Sequence, residues 1–362
     1  MKPILNTDKR QFSSIIGVDL GDSKHAICIT DKDGNILKEY SLANTRQQIE
    51  KLSTQYPNAL IAMEVGTHSS WTSRLLKDKG ATVIVANARK LRAIYQNERK
   101  CDKLDARMLA KLVRVDPDLL HPVEHSSEEA QEDFLLIKMR DTLVSNRVNV
   151  VNAIRGALKA LGIRIPKATT RCFSTHARTY LKAHHSDILM TMEPMFIMLD
   201  ELKEQILEYD RKIKEIIDAK NPPAQRILQI GAVGPITAVS FVLTIGRPER
   251  FEDARDVGAY IGLVPRRDQS GNTDKQLPIS KTGNKYLRKL LVQCAQYNLG
   301  HFGQDSDLRR YGENIYKKKG KEKALKRKAT IAVARKLSVL MLTLWQRELD
   351  YEPLKNANRK AA

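Results

Sequence analysis

Apolar and polar positions change rhythm twice along this chain, and each change marks a different kind of structure. Residues 14–20 (SIIGVDL) read as a buried strand and 25–30 (HAICIT) as its hairpin partner, after which Asp33-Gly34 turns the chain into a third strand over 36–42. The pattern then alternates. Residues 45–55 predict a helix, 59–65 (ALIAMEV) a fourth strand, 69–79 a helix closed by Gly80 and 82–86 a fifth strand, with helical segments following through Arg114.

From 127 to 220 the strand signal disappears. Residues 133–161 form one long helical pattern with Leu136, Leu143, Val150, Ile154 and Leu158 among its apolar positions, and Arg140, Arg147 and Arg155 recur on a shared face at near-heptad spacing. A second helix is expected to open near Glu193-Pro194, with the proline in its first turn. In it Met195, Leu199, Leu202, Ile206, Tyr209, Ile213 and Ile216 are spaced alternately four and three, an a/d seam that buries itself in an intramolecular helical hairpin or in a self-associating coiled coil. Asn221-Pro222-Pro223 reads as a linker. The expected division is 13–125, 126–220, 221–348 and a polar tail over 349–362.

Composition adds one strong fact. The 362 residues carry 62 Lys+Arg against 42 Asp+Glu, a net charge of +20, which points to a polyanionic partner but also fits a ribosomal or membrane-surface protein. Hydrophobic residues at 42% and charged residues at 29% are an ordinary globular balance. Cys28, Cys101, Cys172 and Cys294 form no C-x-x-C pair, which disfavours a zinc finger and a disulfide framework and suits a reducing compartment. With no apolar leader in MKPILNTDKRQFSS and no apolar run near the ~18 residues of a membrane helix, the expectation is a soluble cytoplasmic protein with no membrane partner.

Four acids stand where chemistry would use them. Three antiparallel strands followed by alternating helix and strand is the element order of the ribonuclease H-like fold. In that order Asp19 ends the first strand, Glu64 ends the fourth, and Asp102 and Asp105 share one face of a helix in CDKLDARMLAKL. Each alone has an ordinary reading as a turn cap, an ion-pair partner or a solvated helix face. Together they predict a site for Mg2+ or another divalent cation, because hard cations take oxygen ligands and converging carboxylates repel without one. GVDLGDSKHAICIT also resembles the first phosphate hairpin of the sugar kinase/Hsp70/actin ATPases, but no second such hairpin follows after 120.

The C-terminal third carries the remaining candidates. RILQIGAVGPITA (226–238) resembles a helix-hairpin-helix, with Gly234 at the turn and Ala232 where a glycine is usual. Ser270-Gly271 is expected in a polar loop among Arg266, Arg267, Lys275 and Lys281, and a helix beginning near Gly283-Asn284 presents Lys285, Arg288 and Lys289. A serine before glycine is ordinarily a turn residue; it becomes a nucleophile where a base, a metal or positive charge favours its alkoxide. Ser280 is the rival. The basic run 317–327 (KKKGKEKALKR) favours nucleic-acid contact.

Taken in order, GVDLGDSKH, AMEVGTHSSWTSRLL, KCDKLDARMLAKL, IGAVGPITA, FEDARDVGAYIGLVP, QSG and ISKTGNKYLRKLL resemble the DEDD transposases of bacterial insertion sequences, relatives of the pilin-gene invertases, over roughly 15–348. The resemblance implies a RuvC-like (ribonuclease H-like) catalytic domain, a helical and coiled-coil middle and a mostly helical C-terminal domain. It implies that Asp19, Glu64, Asp102 and Asp105 bind the metal and that Ser270 attacks a phosphodiester and holds the DNA end. It also implies an oligomer with a composite active centre, guided by a structured noncoding RNA. Candidate nucleic-acid contacts are Arg140, Arg147, Arg155, Gly234, Arg266, Arg267, Lys281, Asn284 and Arg288. The competing readings are a RuvC-like junction resolvase or nuclease without serine chemistry, and a non-catalytic nucleic-acid-binding protein.

Overall fold

The computed structural model describes residues 12–91, 101–271, 273–317 and 323–356, and the chain divides into two compact units, 1–126 and 127–362. The helical expectation for 92–100 and part of the basic run 317–327 lie outside the described residues.

The first unit is a five-stranded sheet clothed on both faces. Its strands are β1 (Ser14–Asp19), β2 (Lys24–Thr30), β3 (Ile36–Ala43), β4 (Ala59–Glu64) and β5 (Thr82–Ala86), in spatial order β3-β2-β1-β4-β5. β1, β2 and β3 are antiparallel neighbours, whereas β4 and β5 join β1 in parallel. The parallel strands need crossover helices, and the chain supplies α1 (Arg46–Gln55), capped by Thr45, and α2 (Ser69–Asp78). Two further helices follow β5, the short α3 (Ala88–Leu91) and α4 (Asp102–Val115).

Because strand side chains alternate between faces, the sheet divides its core in two. Ile16, Val18, Ile61, Met63, Val83 and Val85 meet Ile49, Leu52, Leu75 and Leu76 of α1 and α2 on one side. On the other, Ile15, Cys28, Leu60, Ala62 and Ile84 meet Ala106, Leu109, Ala110 and Val113 of α4.

The second unit is helical, with one β-hairpin. α5 (Glu128–Ala160), α6 (Phe173–His184) and α7 (Ser186–Lys220) are followed by α8 (Pro222–Ile227), α9 (Pro235–Ile245), α10 (Asp256–Tyr260), β6 (Pro265–Ser270), β7 (Thr273–Ile279), α11 (Lys285–Asn298), α12 (Asp307–Lys317) and α13 (Lys323–Arg347). One core gathers Val151, Ile154, Leu158, Phe173, Leu181, Phe196 and Leu199 from α5, α6 and α7. The other joins Ile137, Ile213 and Ile217 to the helices from α8 onward. The seam of α7 is therefore buried within the chain: Leu199, Ile206 and Ile213 are covered, and Arg140 of α5 ion-pairs with Asp210 of α7 at 2.6 Å.

Two expectations are corrected here. Pro194 lies inside α7 and not in its first turn, because the helix starts at Ser186. The proline leaves the carbonyl of Met190 without its helical N–H, but Met190 is 82% exposed, and buried Phe196 and Leu199 hold the following turns. The helix α6 has no counterpart in the pattern reading. No helix among the described residues is long and apolar enough to cross a membrane.

Candidate active-site residues

The four acids can be located from backbone pairing. Val18 pairs with Met63 in the parallel β1–β4 ladder, so the next residues, Asp19 and Glu64, stand side by side at the strand ends. Alternation puts both on the α4 face: Ile15 and Gly17 precede Asp19 in that parity, as Leu60 and Ala62 precede Glu64. Both carboxylates are half-buried.

Two contacts fix the direction of α4. Near its C-terminal end, Arg114 lies against Gly34 in the β2–β3 turn, beyond the Ile15–Thr30 end of β1. At mid-sheet, a Cβ on Gly17 would fall 1.9 Å from the Ala106 carbonyl oxygen. From that crossing Asp102 is about 6 Å back along the helix and Asp19 about 6.6 Å forward along the strand, at 1.5 and 3.3 Å per residue. The first turn of α4, carrying Asp102 and half-buried Asp105, thus arrives at the end of the sheet where Asp19 and Glu64 stand.

Arg107 holds this helix in register. Its Nε donates to Oε1 of Glu39 on β3 and its Nη2 to Oε2 at 2.5 Å. The bond holds the Glu39 carboxyl below its ordinary range. Burial, with Glu39 next to it, pushes the Cys28 thiol up to about 11, so Cys28 is inert core.

Common placement falls short of a formed cluster. Among the described residues no group of three or more His, Cys, Asp and Glu side chains is placed to hold a metal ion. The convergence expected of the four side chains is therefore present in the backbone and not in the carboxylate positions. The donor set itself is all oxygen, which suits a hard divalent cation.

The pattern reading assigned nothing to the loop after β4, which adds a relay beside these acids. Trp71 Nε1 donates to His68 Nδ1 at 3.2 Å, which leaves His68 Nε2 to donate to Asp22 Oδ1 at 3.1 Å. This fixes one neutral tautomer and ties the β1–β2 turn to the loop following Glu64. Its only sequence signal is HSSW, with histidine and tryptophan three apart.

Ser270 sits in a β-ribbon and not in a loop. It is the last residue of β6 and pairs with Thr273 across the turn, where Gly271 takes φ +53°. A two-residue connection of this kind calls for residues that accept positive φ. Apart from half-buried Ile279, every described residue of the two strands is exposed.

Directly opposed residues share a face, so Ser270 is grouped with Thr273, Asp268 and Lys275. Arg267 belongs to the other face, paired with Asp274 at 2.5 and 2.7 Å. Lys281 and Ser280 lie beyond the far end of β7, some 20 Å from the tip at strand rise. The cationic surroundings expected from Arg267 and Lys281 are corrected accordingly; Lys275 is the cation on the serine's own face, and Arg266 is exposed near the ribbon's base.

Several proposed nucleic-acid contacts already have protein partners. Arg155 donates to the Ile165 carbonyl at 3.0 Å and lies over the Phe173 ring, and Arg140 is held by Asp210. Arg147 is the exception: its Nε is buried without a partner, and burial, then Arg140 and Arg171, lower its pKa. The expected face of three available arginines thus reduces to Arg147. Asn284 caps α11 by accepting from Tyr286 and Leu287 amides, and Arg288 clamps the carbonyls of Ile261 and Thr282. Gly234 caps α9, with open space where a side chain would be.

Comparison with known proteins joins the two units in one kind of enzyme. Residues 16–163, which contain all four acids, match a family model described as a transposase, and residues 224–311, which contain Ser270, match one described as the IS116/IS110/IS902 family transposase. The transposase for insertion sequence element IS1328 of Yersinia enterocolitica is 30% identical over 78% of this chain and 83% of its own length. The transposase for element IS1111A of Coxiella burnetii is 27% identical over 93% and 91%. A pilin gene-inverting protein of Moraxella bovis is 30% identical over 37% of this chain and 41% of its own. The chain belongs to the IS110/IS116/IS902 family of transposases, enzymes that cleave and transfer DNA strands.

Proposed function

We propose that this transposase works through a ribonuclease H-like, RuvC-type acid site completed by the serine of the exposed ribbon, and that it carries out recombination as well as insertion. The observation that carries the reading is the arrival of Asp19, Glu64 and the first turn of α4 at one end and one face of the sheet. Asp19, Glu64, Asp102 and Asp105 would hold Mg2+ or another divalent cation, which when bound supplies charge neutralisation at a phosphate.

Ser270 Oγ attacks a backbone phosphorus and gives up its proton, while the departing deoxyribose oxygen takes one up. One phosphodiester is exchanged for a serine–phosphate ester, with no water consumed. A DNA hydroxyl reverses the step on a new strand. Lys275, on the serine's face, offsets the phosphate charge during attack.

In this reading the remaining exposed cations contact DNA and a structured guide RNA, and acid site and serine meet in a homo-oligomer. The relative named for pilin gene inversion supports rearrangement of flanking DNA as an outcome.

The test is to trap the protein–DNA adduct and map it. Ser270→Ala is expected to bind DNA yet form no adduct and no recombinant, and alanine at any of the four acids is expected to abolish strand cleavage with binding retained. An adduct on Ser280, or one that persists in Ser270→Ala, overturns the serine assignment. Adduct-free cleavage by Ser270→Ala would favour a junction nuclease instead.

A further inference from the structure

Between α11 and α12 the chain closes a tight loop around one arginine. Three backbone carbonyls converge on Nη1 of Arg309: Asn298 at 2.9 Å, Gly300 at 2.8 Å and Gly303 at 2.7 Å. Arg309 Nε is in turn held by Glu313 at 2.9 Å. The wrap is close enough to exclude any side chain at Gly303, where a Cβ would lie 2.0 Å from the Asn298 carbonyl oxygen and 2.5 Å from Arg309 Nη1. Such a loop is rigid by construction, since loosening it strands a guanidinium and three carbonyls.

What this scaffold displays is an aromatic ring in water. Phe302 is 75% exposed, and His301 meets it edge to face with centroids 5.2 Å apart. Every other phenylalanine among the described residues is buried or half-buried. The loop fixes the backbone that carries the ring, so the ring offers a flat apolar face at a reduced ordering cost on binding. The stretch 285–317 is net basic, with six Lys and Arg against three Asp and Glu, although Arg309 is taken up inside the loop and Arg310 is paired with Asp305.

An enzyme that transfers DNA strands must part base pairs where strands are exchanged, and a released base has two exposed π-faces that stack on aromatic rings. We propose that Phe302, braced by His301, is a stacking platform for an unpaired base of the DNA substrate. The inference rests on membership of the transposase family and not on the roles given to Ser270 or the acids, so it stands or falls separately from them.

The experiment uses the full chain and a single-stranded oligodeoxynucleotide containing 2-aminopurine, with the matching duplex and an RNA of the same sequence as comparators. The parent is expected to quench 2-aminopurine in the DNA strand. Phe302→Ala should weaken single-strand binding about tenfold or more and lose the quench, Phe302→Trp should restore both, and duplex affinity should change less than about twofold. Arg309→Gln should reduce the quench with the ring still present, because the loop that fixes it is loosened. The proposal is overturned by Phe302→Ala binding the single strand as the parent does, by equal loss on duplex, or by quenching of RNA alone. It is overturned equally by a fall in oligomer size in Phe302→Ala with single-strand binding unchanged, which would make the ring a contact between copies.

Discussion

Gly17 is the position where one atom tests both the fold and the placement of the acids. It lies in β1, two residues before Asp19, and its missing side chain leaves room for the backbone of α4. In Gly17→Ala the new Cβ would fall 1.9 Å from the Ala106 carbonyl oxygen and 2.7 Å from the Ala110 nitrogen, and both are rigid helix backbone. Contacts to Cβ do not fall below 3.0 Å, so α4 must retreat by more than an ångström. Overpacking of this kind costs about 1–3 kcal/mol. The retreat also carries Asp102 and Asp105 away from Asp19 and Glu64. A displacement of about 1 Å in a catalytic group costs on the order of 10²-fold in rate. Urea denaturation should show an earlier midpoint, and strand cleavage, measured where the variant is still folded, should fall by about two orders of magnitude. If midpoint and cleavage both match the parent, α4 does not seat on β1 as described. If stability falls while cleavage holds, the packing is right and the acids at that end of the sheet are not the site.

Other outcomes follow from single contacts. Glu39→Gln should flatten the acid limb of the stability profile: the Arg107 bond depresses the folded pKa of Glu39, so its contribution is complete at neutral pH and is lost as pH falls through that lowered value. Denaturation midpoints across the acid range read this directly, and equal acid limbs in variant and parent would contradict it. Gly156→Ala, in the interior of α5 with nothing within 4 Å of the new Cβ, should stabilise by about 0.5–1 kcal/mol; a lower midpoint would mean that the position is crowded. DNA affinity should fall steeply and linearly on a log–log plot against salt, as expected for a chain of charge +20, and a flat plot would exclude a phosphate-dominated interface.

Legibility in the sequence followed the length scale of each signal. The strands of the first unit were readable because each carries its own alternation or apolar run, and β1, β4 and β5 needed only neighbours to become a sheet. The seam of α7 was readable as a seam but not as to partner, since an apolar stripe records that it is covered and not by what. Pro194 misled because first-turn proline is the commoner case, and a long helix held by one buried face tolerates an interior one. The arginines of α5 misled for a related reason. Spacing gives a common face, but only tertiary structure shows that Asp210 and the carbonyl of Ile165 are waiting on it.

The site divides along the same line. The placement of Asp19, Glu64 and Asp102 was legible because it is set by element ends, which periodicity marks, and Asp105 follows one helical turn on. The setting of Ser270 was not, because β6 and β7 have almost no buried face and so leave no hydrophobic pattern to read. That exposure has a mechanistic consequence. A two-stranded ribbon without a core is only marginally stable by itself, and the tip offers Ser270 one cation, Lys275, and one carboxylate, Asp268, on its own face. Among the described residues of the ribbon nothing resembles the buried base or dense positive charge that activates a hydroxyl. In the proposed reaction the ribbon's contribution is therefore reach: it extends a serine some 20 Å from the helical body at strand rise, and the activating groups must come to it from another surface. A serine activated within its own hairpin would attack free phosphodiesters without the acids. Adduct formation by Ser270 in the Asp19→Ala variant is the result that would refute this division of labour.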